Sequence, residues 1–152
     1  MLLDFIFQIW RRLRGEWQWR LLWLTNSKFM ISAAGVVLDD RGRVLLQRHR
    51  HWVPDVWGLP GGIVHRAETL EAAFAREVCE ETGLSLTDVQ LIRVVSGYNL
   101  RLEAFFRARL AAAGEPILHL QTSEVLEARF FPPDALPENI LPEQREMIVM
   151  VQ

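Results

Sequence analysis

The sequence predicts an α/β fold of the α+β type, in which helices cover a mixed β-sheet. The first observation behind this prediction is that short β-prone apolar runs are interspersed with two helical segments, a pattern typical of an α/β sandwich. The second is that 152 residues, half of them hydrophobic, suffice for one core and leave no room for a second. We therefore expect one domain over residues 30–152, preceded by an N-terminal extension over residues 1–29.

The domain is expected to begin with a β-hairpin. Met30 to Leu38 is a β-prone apolar run, Asp39-Asp40-Arg41-Gly42 has the composition of a turn, and Val44-Leu45-Leu46 resumes the apolar run. Leu59-Pro60-Gly61-Gly62 follows as a turn-forming segment, whose glycines allow the backbone to approach a ligand closely.

A helix is predicted after this turn. Thr69 can cap its start, and Gly83 can end it. Ala73 and Phe74 begin an apolar stripe that must face the core. Cys79 points away from the acids of the same helix, and we expect it to be a small buried hydrophobe.

Three further strands and a short helix complete the domain. The strands are predicted over residues 89–95, 102–110 and 125–130. Prolines 132, 133 and 137 then break the chain, and residues 143–151 can form the last helix.

The N-terminal extension has the pattern of an amphipathic basic helix, with Gly15 as a place where it could break. Its apolar residues recur at helical spacing, and its arginines give it a positive balance. It also holds four of the six tryptophans, at positions 10, 17, 19 and 23. Such a helix could pack onto the domain, join two copies as a homodimer, or lie on an anionic membrane surface. Its uncharged run is too short for a membrane span, which needs about 20 residues.

Composition excludes two classes of protein. A formal net charge of −2 gives no overall attraction to nucleic acid, although recognition of a capped RNA end stays open. A single cysteine rules out an intrachain disulfide framework. This agrees with a reducing compartment, and we expect the cytoplasm.

Three acids share one side of the predicted helix. Glu77, Glu80 and Glu81 stand at i, i+3 and i+4, and their like charges repel. Arg76 can hold Glu80, but one guanidinium cannot neutralise three acids and leave them free to work. A hard dication such as Mg²⁺, which takes carboxylate oxygens together with substrate phosphates, would complete the site. The alternative is a solvated acidic helix face with surface ion pairs.

Residues 62–84 carry a pattern with seven fixed positions. These positions are Gly62, Glu68, Arg76, Glu77, Glu80, Glu81 and Gly83. With Val78 and Leu84 in two apolar positions, the segment resembles the signature of the Nudix hydrolases, Gly-x5-Glu-x7-Arg-Glu-U-x-Glu-Glu-x-Gly-U, where U is a bulky apolar residue. The strand pattern from about residue 30 to the end also resembles this family, whose fold is an α/β/α sandwich with a mixed sheet.

The resemblance implies a metal site and a reaction. Glu77 and Glu81 would be the principal ligands of Mg²⁺ or Mn²⁺, with Glu80 beside them and the carbonyl of Gly62 as a further ligand. Members of the family use water to cleave the diphosphate linkage of compounds in which a nucleoside diphosphate is joined to some group X.

The same resemblance gives supporting roles to two other residues of the signature. Arg76 would orient the acids, and Glu68 would in turn anchor Arg76. Gly83 would support the site by ending its helix.

The attack of water also needs a proton acceptor. Family members differ in which residue this is, so Glu81 and Glu124 both remain candidates. Glu124 belongs to residues 121–131, which resemble the loop and strand near the end of the family fold. Equally, Glu124, Glu127 and Glu103 could each be an ordinary surface acid.

Three other residues are candidates for substrate contact. Arg48 and Arg50 lie in the run Arg48-His49-Arg50-His51-Trp52, which could grip phosphates or stack a base, or could be a basic surface loop. Tyr98 lies where the family often places specificity residues, although a hydrogen-bonded core tyrosine would also fit.

Group X stays open at this point. The proline typical of ADP-ribose-cleaving members is absent around Asn99, and the longer upstream pattern of the coenzyme A-cleaving group is missing. Nucleoside triphosphates, damaged nucleotides, nucleotide sugars or alcohols, and capped RNA ends remain. The rival hypothesis is a non-catalytic module that binds a nucleotide or senses one at a membrane; loss of an acid or of Arg76 would favour it, and none is lost.

Overall fold

The computed structural model of the chain describes residues 2–13, 15–96 and 99–152. Within these residues a six-stranded mixed sheet lies between two helices, which confirms the predicted fold class. The α-helices are α1 (Leu2–Arg12), α2 (Glu16–Thr25), α3 (Leu70–Thr82) and α4 (Pro142–Met150). The strands are β1 (Met30–Leu38), β2 (Val44–His49), β3 (Gly61–Ile63), β4 (Leu86–Ser96), β5 (Arg101–Leu110) and β6 (Val125–Phe131).

β1 is the strand that makes the sheet mixed. The strand order is β4-β5-β1-β2-β6, and β3 pairs with β1 outside this path. β1 runs parallel to β5, with Met30 beside Arg101, and antiparallel to β2 and β3. Because Ala33 of β1 lies opposite Gly62, the glycine segment is paired with the central strand of the sheet rather than left as a free loop.

A helix covers each face of the sheet. On one face, Ala73, Phe74 and Val78 of α3 are fully buried, and the Phe74 ring stacks on Phe106 of β5 with 5.5 Å between centroids. On the other face, Met147 and Ile148 of α4 pack against β1, β2 and β5. Burial of apolar side chains on both faces stabilises the sandwich by about 25 cal/mol per Å² of apolar surface removed from water.

The ends of α3 form as its sequence predicts. The Oγ1 atom of Thr69 accepts a hydrogen bond from the Ala72 backbone N–H at 3.1 Å. Gly83 follows the last turn with φ of 74°, a conformation that favours glycine, and its N–H donates to the Cys79 carbonyl at 2.8 Å. The length and position of the acid-bearing helix are therefore fixed at both ends.

Two expectations need correction. Gly61 and Gly62, expected within a turn, belong to strand β3, because the glycines allow close pairing with β1. Cys79, expected to be buried, is exposed, because the core stripe of α3 passes through Val78 and leaves the next residue facing solvent.

The N-terminal extension forms two helices with Gly15, at φ of 60°, between them. Of the side chains described in α1 and α2, none is buried. Within the described residues, no helix is long and apolar enough to cross a membrane.

Candidate active site

Strand β3, which holds the two glycines, and the acid-bearing helix α3 meet at one end of the sheet. Gly62 of β3 lies directly against α3, since a Cβ atom built on it would fall 2.4 Å from the carboxyl carbon of Glu77. Any larger residue would displace that carboxyl group. The need for glycine at this position is therefore steric, and it places the Gly62 backbone beside the first acid of the cluster.

Arg76 binds most of the acid cluster through its guanidinium group. It donates to both carboxyl oxygens of Glu68, at 2.9 and 3.1 Å, to Glu77 at 2.9 Å and to Glu80 at 3.1 Å. It also donates to the Ile63 carbonyl at 3.1 Å, which ties α3 to β3.

These ion pairs change the protonation of both partners. The hydrogen bond to Glu68, followed by those to Glu77 and Glu80, raises the pKa of Arg76. The same bond, helped by the backbone N–H of His65, lowers the pKa of Glu68 to about 2. Arg76 and Glu68 are therefore both fully charged near neutral pH, as an anchor requires.

Glu81 lies apart from Arg76 in a buried position. It is 2% exposed, and its Oε2 atom accepts a hydrogen bond from the Gly61 N–H at 3.1 Å. Burial raises the pKa of Glu81 to about 8, against the lowering effects of the neighbouring Gln47 amide and of Gly61. The Gln47 amide is itself buried and makes no hydrogen bond of standard geometry within the described residues. Glu81 is thus a buried acid without a full counter-charge.

A cleft of about 460 Å³ opens over these groups. Its lining contains acids, imidazoles, glycine backbone and one tryptophan from several elements. The lining residues are His49, His51, Trp52, Gly61, Gly62, Ile63, His65, Arg76, Glu77, Glu80, Glu81, Arg101, Gln121 and Glu124. Glu77, Glu80, Glu81 and Gly62 of the signature are therefore brought together with Glu124, which lies more than forty residues later in the chain.

His49 stands between the two candidate proton acceptors. Its Nε2 atom is 3.9 Å from Glu81 Oε1 and 3.7 Å from Glu124 Oε2. The two acids differ in exposure, since the side chain of Glu124 is 47% exposed and that of Glu81 only 3%. Burial lowers the pKa of His49, although Glu124 opposes this shift.

The basic run that begins at the end of β2 has some residues in the lining of the cleft and others outside it. His49, His51 and Trp52 line the cleft, whereas the structure does not bring Arg48 or Arg50 into its lining. For Arg48 and His49, which are neighbours in β2, the reason is the alternation of side chains along a strand, whereas Arg50 lies beyond the strand in a turn.

Arg48 and Arg50 have other partners instead. The Arg48 guanidinium pairs with Asp55 at 3.0 Å and Glu127 at 3.2 Å. Arg50 donates to the carbonyls of Thr122 and Ser123, at 3.1 and 3.2 Å, and so holds the loop that carries Glu124. In the described geometry Arg50 supports this loop, and its contact with a substrate phosphate stays a prediction.

Sequence reasoning did not single out every residue of the cleft, and it named one that lies outside the description. Ile63, His65, Arg101 and Gln121 line the cleft but were not candidates; Arg101 arrives through the parallel pairing of β1 and β5, which the sequence does not reveal. Tyr98 is not among the described residues, so its role stays a prediction.

The donor chemistry of the site fits a hard divalent cation. The acids offer carboxylate oxygens, and among the described ion pairs the buried Glu81 has only the imidazole of His49, 3.9 Å away. Among residues 2–13, 15–96 and 99–152, however, no three His, Cys, Asp or Glu side chains converge closely enough to hold an ion. Glu77 and Glu80 instead form ion pairs with Arg76. The candidate ligand residues are therefore present in the cleft, but their carboxylates do not converge on one point.

A sandwich that presents a glycine strand and a helix of glutamates at one end of its sheet has the architecture of MutT-like proteins. The NUDIX domain model matches residues 28–150 of the chain. The chain belongs to the NUDIX domain family.

Known relatives agree with this assignment. The chain is 32% identical over 111 residues to a MutT-like protein from Streptomyces ambofaciens, covering 72% of this chain and 68% of that one. It is 34% identical over 119 residues to the NAD-capped RNA hydrolase NudC from Pseudomonas aeruginosa, covering 77% of this chain and 41% of the relative. It spans only 32% and 30% of the length of two other curated relatives.

The fold has close counterparts among solved structures. The MutT NUDIX hydrolase from Burkholderia pseudomallei superimposes with a TM-score of 0.63 at 25% identity, over 83% of this chain and all of the other. The α/β/α sandwich is therefore shared with a known member of the family.

Proposed function

We propose that this protein is a divalent-metal-dependent hydrolase that cleaves the diphosphate linkage of a nucleoside diphosphate joined to a group X. The observation that carries the proposal is the cleft in which Glu77, Glu80, Glu81 and the Gly62 backbone lie together, with Arg76 holding the acids in place. Membership of the NUDIX domain family and similarity to MutT-like relatives support it.

In this proposal, Glu77 and Glu81 are the principal ligands of Mg²⁺ or Mn²⁺, with Glu80 and the Gly62 carbonyl as further ligands. A dication bound there would offset the charge of the substrate phosphates and make bound water more acidic. Arg76, anchored by Glu68, sets the direction in which Glu77 and Glu80 present their oxygens.

We assign the proton acceptor to Glu124, with Glu81 as the competing candidate. Glu124 is half exposed, so a proton on its carboxylate can leave to solvent, whereas Glu81 is enclosed. His49 separates the two and can hold Glu124 in position. Arg50 supports the same loop through the carbonyls of Thr122 and Ser123.

A pH profile separates these two roles. If Glu124 accepts the proton, Glu124→Gln lowers kcat by about 10²–10⁴ and removes the acidic limb of the profile, with Mn²⁺ affinity unchanged. Glu81→Gln should instead weaken Mn²⁺ binding. An acidic limb that survives in Glu124→Gln and disappears in Glu81→Gln would transfer the base role to Glu81.

The substrate class is proposed from relatives and chemistry. The MutT-like and NudC relatives make nucleoside triphosphates and NAD-capped RNA 5′ ends the first compounds to test, beside nucleotide sugars and nucleotide alcohols. The cytoplasm is the proposed location, which the single cysteine of the chain supports.

The test is release of phosphate or nucleotide from a panel of these compounds with Mg²⁺, with Mn²⁺ and with a chelator. Turnover with either metal that stops on chelation, with products cut at the diphosphate, is the expected result. Binding of a nucleotide without turnover of any compound would replace the proposal with a non-catalytic nucleotide-binding module.

A further inference from the structure

The extension carries a large apolar surface that the described residues leave uncovered. Monomeric proteins rarely expose contiguous apolar patches of more than a few hundred Å² without a functional reason. Here ten large apolar side chains of α1 and α2 are between 41% and 74% exposed. They are Phe5, Ile6, Phe7, Ile9, Trp17, Trp19, Leu21, Leu22, Trp23 and Leu24.

α1 has an apolar side and a polar side. At about 100° per residue, Phe5, Ile6 and Ile9 lie on the apolar side, while Arg11 and Arg12 lie on the polar side, which also holds Asp4 and Gln8. This is the distribution of a helix that lies in the plane of a membrane surface, with its apolar arc toward the acyl chains and its arginines toward phosphates.

α2 is apolar on two sides. Trp17, Leu21 and Leu24 form one stripe, and Trp19 and Trp23 lie on the other side of the helix. Trp19, Trp23 and Leu24 also line an open groove of about 430 Å³. A single flat protein surface would cover only one of these sides, whereas the boundary layer of a bilayer surrounds a helix on more than one side.

Cations stand beside the tryptophan rings. The Arg20 guanidinium lies 5.0 Å from the centroid of the Trp17 ring, and the Lys28 ammonium lies 4.8 Å from that of Trp23. Tryptophan at the headgroup level next to Lys or Arg is typical of protein surfaces that meet lipid headgroups.

Charge is divided between the extension and the domain. Residues 1–29 hold five cations and two acids, a formal balance of +3, so residues 30–152 hold −5 of the total of −2. An anionic surface therefore attracts the extension and repels the domain, so the helices rather than the domain would face that surface.

The extension also joins the domain at the cleft end of the sheet. β1 begins at Met30, a few residues after α2 ends, and Met30 lies beside Arg101, which lines the cleft. A surface that holds α2 therefore lies near the cleft.

From these observations we propose that α1 and α2 form a peripheral binding surface for anionic lipid bilayers, which holds the cleft close to the membrane. The binding does not depend on hydrolysis, so the proposal stands or falls separately from the function proposed above.

The test is flotation of the full-length chain with vesicles of equal parts phosphatidylcholine and phosphatidylserine, compared with phosphatidylcholine alone. We expect flotation with the anionic vesicles, a loss of binding in high salt, and a blue shift of tryptophan emission. Arg11→Glu with Arg12→Glu should lower the partition at least about tenfold, with the exposed domain cation Arg109→Glu as control.

The apolar contribution is tested separately. Trp19→Ala with Trp23→Ala should lower the partition at least about tenfold, whereas Ile117→Ala, which truncates a 75% exposed apolar residue of the domain, should not. A wild type that stays unbound with both vesicles would overturn the proposal. If, in addition, sedimentation shows a dimer that the tryptophan substitutions dissociate, the occupant of this surface is a second copy.

Discussion

α2 and α3 are helices of similar length, but they differ in how far the rest of the chain covers their side chains. On α3, Arg76 contacts Glu68, Glu77 and Glu80, and the apolar stripe is fully buried under the sheet. On α2, the tryptophans face solvent, and no described residue is buried. Within the described residues, α3 therefore has its packing partners in the domain, whereas the tryptophans of α2 stay uncovered, which is the observation behind the proposed lipid-binding surface.

The largest effect is expected where the acids of α3 lose a ligand. Glu77→Gln keeps the size of the side chain but removes its negative charge at the Gly62 contact, so Mn²⁺ affinity should fall about 100-fold or more. Titration calorimetry measures this affinity. Glu71→Gln, an exposed acid in the first turn of the same helix, is the matched control and should bind as the wild type does.

A steric change beside the same acid should have the next largest effect. Gly62→Ala places a methyl group 2.4 Å from the Glu77 carboxyl carbon and must move it, so kcat/KM should fall about 10- to 100-fold in steady-state assays. Gly114→Ala, where the added Cβ meets no atom within 4 Å but φ is 101°, should cost stability and not activity. Equal activity losses in the two variants would contradict this steric account.

Removal of the anchor should affect stability and activity together. Arg76→Ala leaves Glu68, Glu77 and Glu80 without their shared cation, so the free energy of unfolding should fall by about 1–3 kcal/mol. Chemical denaturation measures this change. Arg93→Ala, which breaks an exposed pair with Glu146, should cost less than about 1 kcal/mol. A loss in Arg93→Ala as large as in Arg76→Ala would mean that the anchor is an ordinary surface pair.

The protonation of Glu81 gives the metal-free protein a pH dependence. Because burial raises its folded pKa from about 4.5 to about 8, the folded state binds the proton more tightly, and this contribution to stability is lost as pH rises from about 4.5 through about 8. Glu81→Gln removes the effect, so it should stabilise the metal-free protein by about 1–3 kcal/mol at pH 9 and by little at pH 5. Thermal melts with chelator at both pH values measure this difference, and an equal effect at both would contradict it.

The smallest effect is expected in the extension. Trp19→Ala should leave the free energy of unfolding within about 0.5 kcal/mol of the wild type, because the ring is 74% exposed. Truncation of Phe74, which is fully buried, should cost about 3–5 kcal/mol. Denaturation of the two variants under the same conditions sharpens the contrast, and a large loss in Trp19→Ala would show that the extension packs on the domain.

The sequence predicted those parts of the fold that local patterns determine. All the described strands except β3, the cap at Thr69 and the stop at Gly83 follow from residue types at short spacing. The acids of the signature also lie together, because i, i+3 and i+4 share one side of a helix.

The missed features depend on contacts between distant segments. Arg101 reaches the cleft only because β5 pairs in parallel with β1, and His49 lies inside while its strand neighbour Arg48 lies outside because of strand phase. A one-residue change of phase exchanges the two faces of a strand, and no local pattern in this mixed basic run sets that phase.

The central claim is that the buried acid of α3 is essential to metal-dependent cleavage of a diphosphate. The most direct measurement is kcat/KM of Glu81→Gln and of the control Glu71→Gln on the best substrate of the panel, with saturating Mg²⁺. We predict that kcat/KM falls at least about 100-fold in Glu81→Gln while the protein remains folded, and that Glu71→Gln keeps wild-type activity. A folded Glu81→Gln protein that turns over substrate like the wild type would contradict it.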